Sequence, residues 1–415
     1  MMVVSLDRMK LGSLLGQGSF STVYEIKSIK YNERKKSNKK PMLVLKTIRE
    51  KHLETPKLVK RYTADLVKEG LFLSKLNHPN ILKCHGWTGN ERYARRRKDA
   101  FSLVLERIHT TLDAELKAWK RQQEKQHQQL QKLRTQRGLR QRQSQNQNFR
   151  PGLFEFVIRR THKFQQRRRA KATTTATNNN INNMALRCRI VLELASGLEY
   201  LHSQRILHRD IKPSNLGLDR PSGVLKIFDL DVSRMLPRNT TTSTTSMNTT
   251  TAVAAGAATT TTTTTNTTAT ATATATIGSD EDEVFRLTKK VGSPLYMAPE
   301  IALGEAYNAK SDVHAFGLVV YEILGLEAPF ADLKRSQHQA LVVHQGLRPD
   351  VPEKWPAEWK EFLNECWSPE IPVRPTMEKA RRRLQEELLP LILEQQQQQQ
   401  QQQEEEEEEE LSEKQ

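Results

Sequence analysis

Cysteine is scarce in this chain. Cys84, Cys188 and Cys366 lie far apart with no C-x-x-C pair among them, so their spacing supports neither a disulfide framework nor a zinc site, and it points to a reducing compartment. Long apolar runs are missing too. None approaches the ~18 residues of a membrane span, and the first ten residues place Asp7, Arg8 and Lys10 where a signal peptide would need an apolar stretch. The expectation is a soluble intracellular protein, cytoplasmic or nuclear, with no membrane partner. Large side chains are also thin on the ground: hydrophobic residues make up 36% and aromatic ones 6%, and with the 18 glycines the apolar share reaches about 40%, below the roughly 45–50% (glycine included) of globular chains. Three biased tracts account for the deficit, at about 120–183, 237–284 and 394–415. Without them about 280 residues of ordinary composition remain, enough for one large domain or two lobes.

Net charge is +17, and it is unevenly placed. Residues 119–172 carry sixteen Lys or Arg against Glu124 and Glu155, whereas residues 394–415 carry nine Glu against Lys414. A basic run of this kind suits either an acidic partner or nucleic acid, or is simply a solvated, disordered insert. The insert is the preferred reading. Nucleic acid is the weakest of the three, because the tract shows little of the aromatic interleaving that base stacking needs.

Along the chain, Leu11–Leu15, Ser21–Ile29 and Met42–Ile48 are apolar or β-branched runs that predict an antiparallel meander, with turns at Gly-Gln-Gly and at a Lys/Asn-rich stretch around Arg34–Lys40. In Ala64–Leu76 the apolar residues recur at helical spacing, and His78-Pro79-Asn80 ends that element. Phe101–Leu105 reads as a buried strand, and Ala185–His202 as a long amphipathic helix. Ile206–Leu207 and Val224–Phe228 follow as short strands, and Tyr296–Ile392 is mostly helical. The Thr/Ala repeat at 240–276 has almost no large apolar side chains and cannot offset its ordering entropy, so disorder is expected there and in the polyglutamine and polyglutamate tail.

Three groups of residues carry chemistry. Gly16-Gln17-Gly18-Ser19-Phe20-Ser21-x-Val23 lies between two strands, where glycines let backbone N–H groups approach phosphates; taken alone, an ordinary hairpin turn is the preferred reading. Lys46 sits inside the apolar strand Leu43–Ile48. Either it points to solvent from an edge strand, or it needs a buried anion, for which Glu69 on the following helix is the candidate. His208-Arg209-Asp210-Ile211-Lys212-Pro213-Ser214-Asn215 packs a carboxylate, an ammonium and an amide into one proline-constrained loop. A carboxylate accepts a hydroxyl proton, a lysine neutralises phosphoryl charge and an Asn oxygen suits Mg²⁺. Asp229 follows a short apolar run, as a metal-binding carboxylate at a strand end should.

Together these motifs resemble, in order, those of eukaryotic-type protein kinases. The resemblance covers roughly residues 9–390 without the two inserts. It implies an α+β, bilobal fold: an N-lobe at 9–107 made of a small antiparallel sheet plus one helix, a larger and mainly helical C-lobe at 108–390 carrying the inserts, and a disordered tail at 394–415. It implies ATP and Mg²⁺ as cofactors and protein substrates. Leu15, Gly16, Gln17, Gly18, Ser19, Phe20, Ser21 and Val23 would cover the nucleotide. Lys46 would hold its phosphates with Glu69 as partner, and Leu105 would be the gatekeeper before a hinge at Glu106–Ile108. Asp210 would be the catalytic base and Lys212 the phosphate-neutralising lysine, with Asn215 and Asp229 as metal ligands. Ala298-Pro299-Glu300 would close the activation segment, with Glu300 paired to Arg374, and Asp312 would support the catalytic loop. Lys212 with Ser293 resembles serine/threonine kinases, and Cys366-Trp367 with Arg374-Pro375-Thr376-Met377 looks like the tyrosine-kinase-like group.

The chain departs from the family pattern at three places. Ser21 takes the third glycine position. The metal-binding triplet reads Asp229-Leu230-Asp231 instead of Asp-Phe-Gly, and a β-carbon at the glycine position is expected to restrict the backbone. The segment from Asp229 to Glu300 contains the long Thr/Ala insert. Arg209 typically meets a phosphorylated residue in such segments, and Thr288 is the candidate, which would imply an upstream activating kinase. The departures leave one alternative standing: a pseudokinase scaffold that binds nucleotide without phosphoryl transfer. Nothing in the residues sets substrate identity or oligomeric state.

Overall fold

The computed structural model describes residues 2–30, 42–88, 101–145, 184–219, 222–237 and 282–412. The Arg34–Lys40 turn, residues 146–183 of the first insert and the Thr/Ala repeat lie outside this range.

The three expected N-terminal strands form as β2 (Met9–Gln17), β3 (Ser21–Ile29) and β4 (Leu43–Ile48), paired antiparallel in sequence order. With β1 (Met2–Val3), β5 (Cys84–Trp87) and β6 (Leu103–Glu106) they make a six-stranded sheet in the order β1-β5-β6-β4-β3-β2. Strand β1, which the apolar pattern did not announce, adds parallel to β5. Side chains alternate across β4 with period two. Leu43 and Leu45 join Val104 in a small apolar cluster on one face, whereas Val44 and Ile48 belong to the main core on the other. Lys46 shares that second face by parity and is buried there.

Against this face lies the Pro56–Lys75 helix. It begins eight residues before the apolar periodicity does, because Pro56 stands at its first turn, where a missing N–H costs nothing. Its buried residues Val59, Thr63, Leu66, Glu69, Gly70 and Leu73 recur at helical spacing, so Glu69 is the one charged group on the core-facing stripe.

The second lobe is helical. A helix over residues 184–203 and the Lys310–Gly325 helix, buried from Lys310 to Leu324, form its centre. A three-stranded sheet, β10 (Leu225–Ile227), β9 (Leu216–Asp219) and β7 (Ile108–Thr111), lies beside the catalytic-loop sequence. A pair of two-residue strands, β8 (Ile206–Leu207) and β11 (Arg234–Met235), completes the set.

Two expectations of disorder need correction. The Leu112–Gln145 helix runs into the first insert, and the Leu389–Ser412 helix runs through the polyglutamine and the polyglutamate. Polar composition rules out a core but not a helix. Gln, Glu, Lys, Arg and Leu are good helix formers, and each tract extends a turn already nucleated by burial: Leu112, Leu116 and Trp119 in one, Leu388, Leu389 and Ile392 in the other. From Lys120 to Lys125 the first helix is exposed on every side.

Glu300 and Arg374 form a bidentate pair, Nη1–Oε1 2.6 Å and Nη2–Oε2 2.9 Å, with both side chains buried. The guanidinium also donates to the carbonyls of Ser368 and Lys310. Arg374→Ala strands a buried carboxylate and is expected to cost about 3–5 kcal/mol of unfolding free energy, measured by urea denaturation. A loss below about 1 kcal/mol, the range of an exposed pair, would contradict this packing.

Candidate active site

Lys46 Nζ donates to both oxygens of Glu69, at 2.9 and 2.7 Å, and to Asp229 Oδ1 at 2.7 Å. Burial alone would release its proton, but the carboxylates of Asp229 and Glu69 outweigh burial and hold the ammonium well above its ordinary value. Burial pushes the Glu69 carboxyl up to about 7, with Lys46 pulling against it. Asp229 moves the other way: burial is outweighed by Lys46, and its carboxyl lies below the usual range. Sheet, helix and the Asp229-Leu230-Asp231 triplet therefore meet at one cation.

The catalytic-loop sequence is organised from beneath by Asp312, on the Lys310–Gly325 helix. Its Oδ2 accepts the backbone N–H of His208 at 2.8 Å and faces His202 Nε2 at 3.0 Å, and its Oδ1 accepts the N–H of Arg209 at 2.8 Å. Arg209 and Asp229 take left-handed φ of 68° and 66°, a conformation that costs a β-carbon-bearing residue about 1–3 kcal/mol unless its surroundings enforce it. These buried hydrogen bonds do the enforcing at Arg209. Asp231 does not share the left-handed geometry, so its β-carbon meets no backbone penalty in this conformation. Burial, then Asp229, pushes the Asp231 carboxyl up to about 6, and Leu230 is a fully buried apolar plug.

Three donors converge on Asp210. Lys212 Nζ (2.7 Å) and Asn215 Nδ2 (2.9 Å) reach Oδ2, and the backbone N–H of Ser293 (2.7 Å) reaches Oδ1. Lys212 also donates to Ser293 Oγ at 2.6 Å. Asn215 is tied to the residue before Asp229, since its carbonyl accepts the N–H of Phe228 at 3.1 Å, and His208 Nε2 lies 3.0 Å from the Phe228 carbonyl. Asp210, Lys212 and Asn215 are therefore joined by hydrogen bonds, the Phe228 backbone places Asp229 next to them, and Asp229 in turn holds Lys46. Gly292 allows the approach of Ser293. Its φ is 99°, and a Cβ there would overlap the carbonyl oxygen of Arg209.

The glycine-rich turn folds back on itself through Gly18 N–H to Ser21 O at 2.8 Å. Residues outside the motif pin its tip. Arg49 donates to the Gly18 carbonyl at 3.0 Å, His52 Nε2 lies 3.1 Å from the Ser19 carbonyl, and Phe20 stacks on Tyr62 with ring centroids 5.2 Å apart. Nothing in the spacing of Arg49, His52 and Tyr62 announced this role; it emerges only when the chain after β4 folds back. Ser21, at the third glycine position, is buried. A Cβ on Gly16 would meet nothing within 4 Å, so the space over Gly16 is open, with Leu15 exposed and Val23 half-buried nearby on the paired strands. At the hinge the Glu106 side chain is engaged by Lys226 Nζ (3.1 Å) and the N–H of Lys83 (2.7 Å), and the backbone N–H groups of Glu106 and Arg107 donate to the carbonyls of Lys83 and Met42 at 3.0 and 2.9 Å. Ile108 opens β7, paired with Asp219.

These residues fit a nucleoside triphosphate with Mg²⁺. There is open backbone at Gly16, an apolar roof at Leu15 and Val23, a buried ammonium at Lys46, and oxygen donors at Asp229 and Asn215. Among the described residues no group of three or more His, Cys, Asp or Glu could hold a metal by itself. Mg²⁺ is held through one or two carboxylates, with phosphates and water completing its shell. Among the described residues, too, no helix is long and apolar enough to cross a membrane.

Comparison with known proteins agrees with the geometry. The family described as protein tyrosine and serine/threonine kinase matches residues 9–270 and 273–384, so the chain belongs to the protein kinase family. A probable serine/threonine-protein kinase of Dictyostelium discoideum is 28% identical over 204 residues, covering 49% of this chain and 17% of the relative. The dual specificity protein kinase shkA of the same organism is 28% identical over 206 residues, 49% of this chain and 31% of the relative. A putative serine/threonine-protein kinase/receptor of Acanthamoeba polyphaga mimivirus is 29% identical over 202 residues, 48% of this chain and 10% of the relative. The chain thus spans less than a third of the length of each of these relatives.

Burial opposes the ionisation of Asp312, but hydrogen bonds from His202 and from the Arg209 backbone, with the charge of His202 and His208, bring its carboxyl below its ordinary 3.8. A depressed carboxyl stabilises the fold above its unfolded value, and that contribution is lost as pH falls through the folded value. Asp312→Asn is therefore expected to lower stability at pH 7 by about 1–3 kcal/mol, with the gap to wild type closing below about pH 4. Urea unfolding at pH 7 and pH 3 tests this. A gap that widens in acid would contradict it.

Proposed function

We propose that the chain is an active, Mg²⁺-dependent protein serine/threonine kinase that transfers the γ-phosphoryl group of ATP to Ser or Thr hydroxyls of protein substrates. The arrangement around Asp210 carries the reading. A carboxylate offers about four acceptor sites; Lys212 and Asn215 occupy Oδ2, and the Ser293 N–H takes one site on Oδ1. The remaining site on Oδ1 is where a substrate hydroxyl would be held. As its oxygen bonds to the γ-phosphorus and the bond to the β–γ bridging oxygen breaks, the hydroxyl proton passes to Asp210 and ADP leaves.

Lys212, already beside Asp210, neutralises charge on the transferring group. Lys46, held by Glu69, takes the α- and β-phosphates. The Gly16–Val23 turn closes over them, and the hinge backbone at Glu106–Ile108 meets the base. Asn215 and Asp229 hold Mg²⁺, which when bound offsets the negative charge of the phosphates. The Lys212–Ser293 contact supports Ser/Thr preference, as do the serine/threonine-protein kinases among the relatives. The dual specificity relatives make tyrosine transfer the outcome that would narrow this claim.

The test is radiolabel transfer from ATP to a generic protein substrate, followed by phosphoamino-acid analysis and run beside Asp210→Asn and Lys46→Met. Wild type is expected to label Ser and Thr, with Asp210→Asn slower by about 10²–10⁴-fold. Equal incorporation in all three would mean a contaminant. Nucleotide-induced stabilisation without any incorporation would assign the chain to the pseudokinase alternative.

A further inference from the structure

The half of the activation segment that follows the Thr/Ala insert is gripped at successive points. Asp282 pairs with Lys310 at 2.5 Å. Phe285 and Tyr307 exchange both backbone hydrogen bonds, at 2.9 and 3.0 Å. Leu287 packs on a small apolar cluster of Leu207, Ala298, Ile301 and Tyr307, and the N–H of Lys290 donates to the Ile301 carbonyl at 3.0 Å.

At the centre stands Tyr307, which is fully buried. Its hydroxyl accepts from Arg209 Nη1 at 2.9 Å and donates to the carbonyl of Thr288 at 2.9 Å. The rest of the Arg209 guanidinium is directed at a single backbone oxygen, the Val232 carbonyl, reached by Nε at 2.8 Å and also by Nη2. Arg209 is itself buried, whereas Thr288 is exposed and is engaged through its backbone. Each nitrogen of the guanidinium beside Asp210 thus already meets a neutral oxygen, and its link to the activation segment runs through the phenol.

We propose that Tyr307 is a positioning residue for phosphoryl transfer: its hydroxyl, bridging Arg209 to the Thr288 carbonyl, docks the activation segment on the catalytic loop, so that this kinase reaches its working conformation without phosphorylation of the segment. The proposal rests on the reading of the chain as an active kinase. It assigns to one unmodified side chain the coupling that Arg209 would otherwise make through a phosphate. The consequence reaches Asp210 directly, because the same segment delivers the Ser293 N–H to its Oδ1. A segment that loosens at Thr288 lets Ser293 move and leaves Asp210 less constrained.

The full-length protein tests this after phosphatase treatment, once mass spectrometry finds no phosphate between Asp229 and Glu300, with initial rates read before any returns. Treated wild type is expected to keep kcat within about twofold of untreated protein, while treated Tyr307→Phe loses about tenfold or more in kcat with KM for ATP unchanged, the split that marks a loss confined to the transition state. Loss of wild-type activity on dephosphorylation, or an unchanged kcat in Tyr307→Phe, would overturn the proposal. Hydrogen exchange on the treated wild type reads the same contact without requiring the variant to fold or the enzyme to turn over. Protection across residues 285–298 is expected in the absence of phosphate, and exchange as fast as in an unstructured segment would overturn the proposal even if the kinase reading stood. A wild type that transfers no phosphate in either state, yet protects this segment, would remove the kinase reading and with it the claim of positioning for phosphoryl transfer.

Discussion

The structure turns on the burial of a single ammonium. Lys46 lies on the core-facing side of β4, where an uncompensated charge costs several kcal/mol, and two carboxylates from distant parts of the chain answer it, both at 2.7 Å. Glu69 can do so only if the Pro56–Lys75 helix packs with its buried stripe against the sheet, and Asp229 only if the end of β10 comes up beneath. One electrostatic requirement therefore ties together the helix position, the placement of the Asp229-Leu230-Asp231 triplet and the closeness of the two lobes. In the proposed function, Lys46 would exchange a carboxylate for a phosphate.

Below this cation, carboxylates organise backbone as well as side chains. Asp312 collects the N–H groups of His208 and Arg209, and Asp210 collects that of Ser293. Hydrogen bonds to charged acceptors are about twice as strong as neutral ones, which lets them hold Arg209 in a left-handed conformation and keep Gly292 hard against the catalytic loop. Glu300 and Arg374 fasten the far end of the same segment to the helical lobe. The loop that would carry the chemistry and the segment that would present substrate are thus fixed through a short series of charged joints.

Much of this was legible in the residues. The polar groups at Lys46, Glu69, Asp210, Lys212, Asn215 and Asp229 come in motifs whose chemistry has few other uses, and the strands that carry them alternate or run apolar as buried strands do. What could not be read depended on chain reversal or on context. Arg49 and His52 reach back to the glycine-rich turn from a stretch with no motif of its own. Tyr307 looks like one more aromatic core residue until its hydroxyl is seen between Arg209 and Thr288. Asp231 promised backbone restriction, but the left-handed angle falls two residues earlier, at Asp229. The Gln-, Arg- and Glu-rich tracts were read from composition as disordered, and composition reports on cores. Helix continuation needs only good propensity and a packed turn to start from, which Trp119 and Leu389 supply.

The most direct measurement of the central claim is a crystal structure of the full chain with a non-hydrolysable ATP analogue and Mg²⁺. The account places the analogue's phosphates within hydrogen-bonding distance of Lys46, the metal on Asp229 and Asn215, and the γ-phosphate facing Asp210 and Lys212. An analogue bound elsewhere, or one that leaves Lys46 without a phosphate contact and Asn215 and Asp229 without metal, would contradict it.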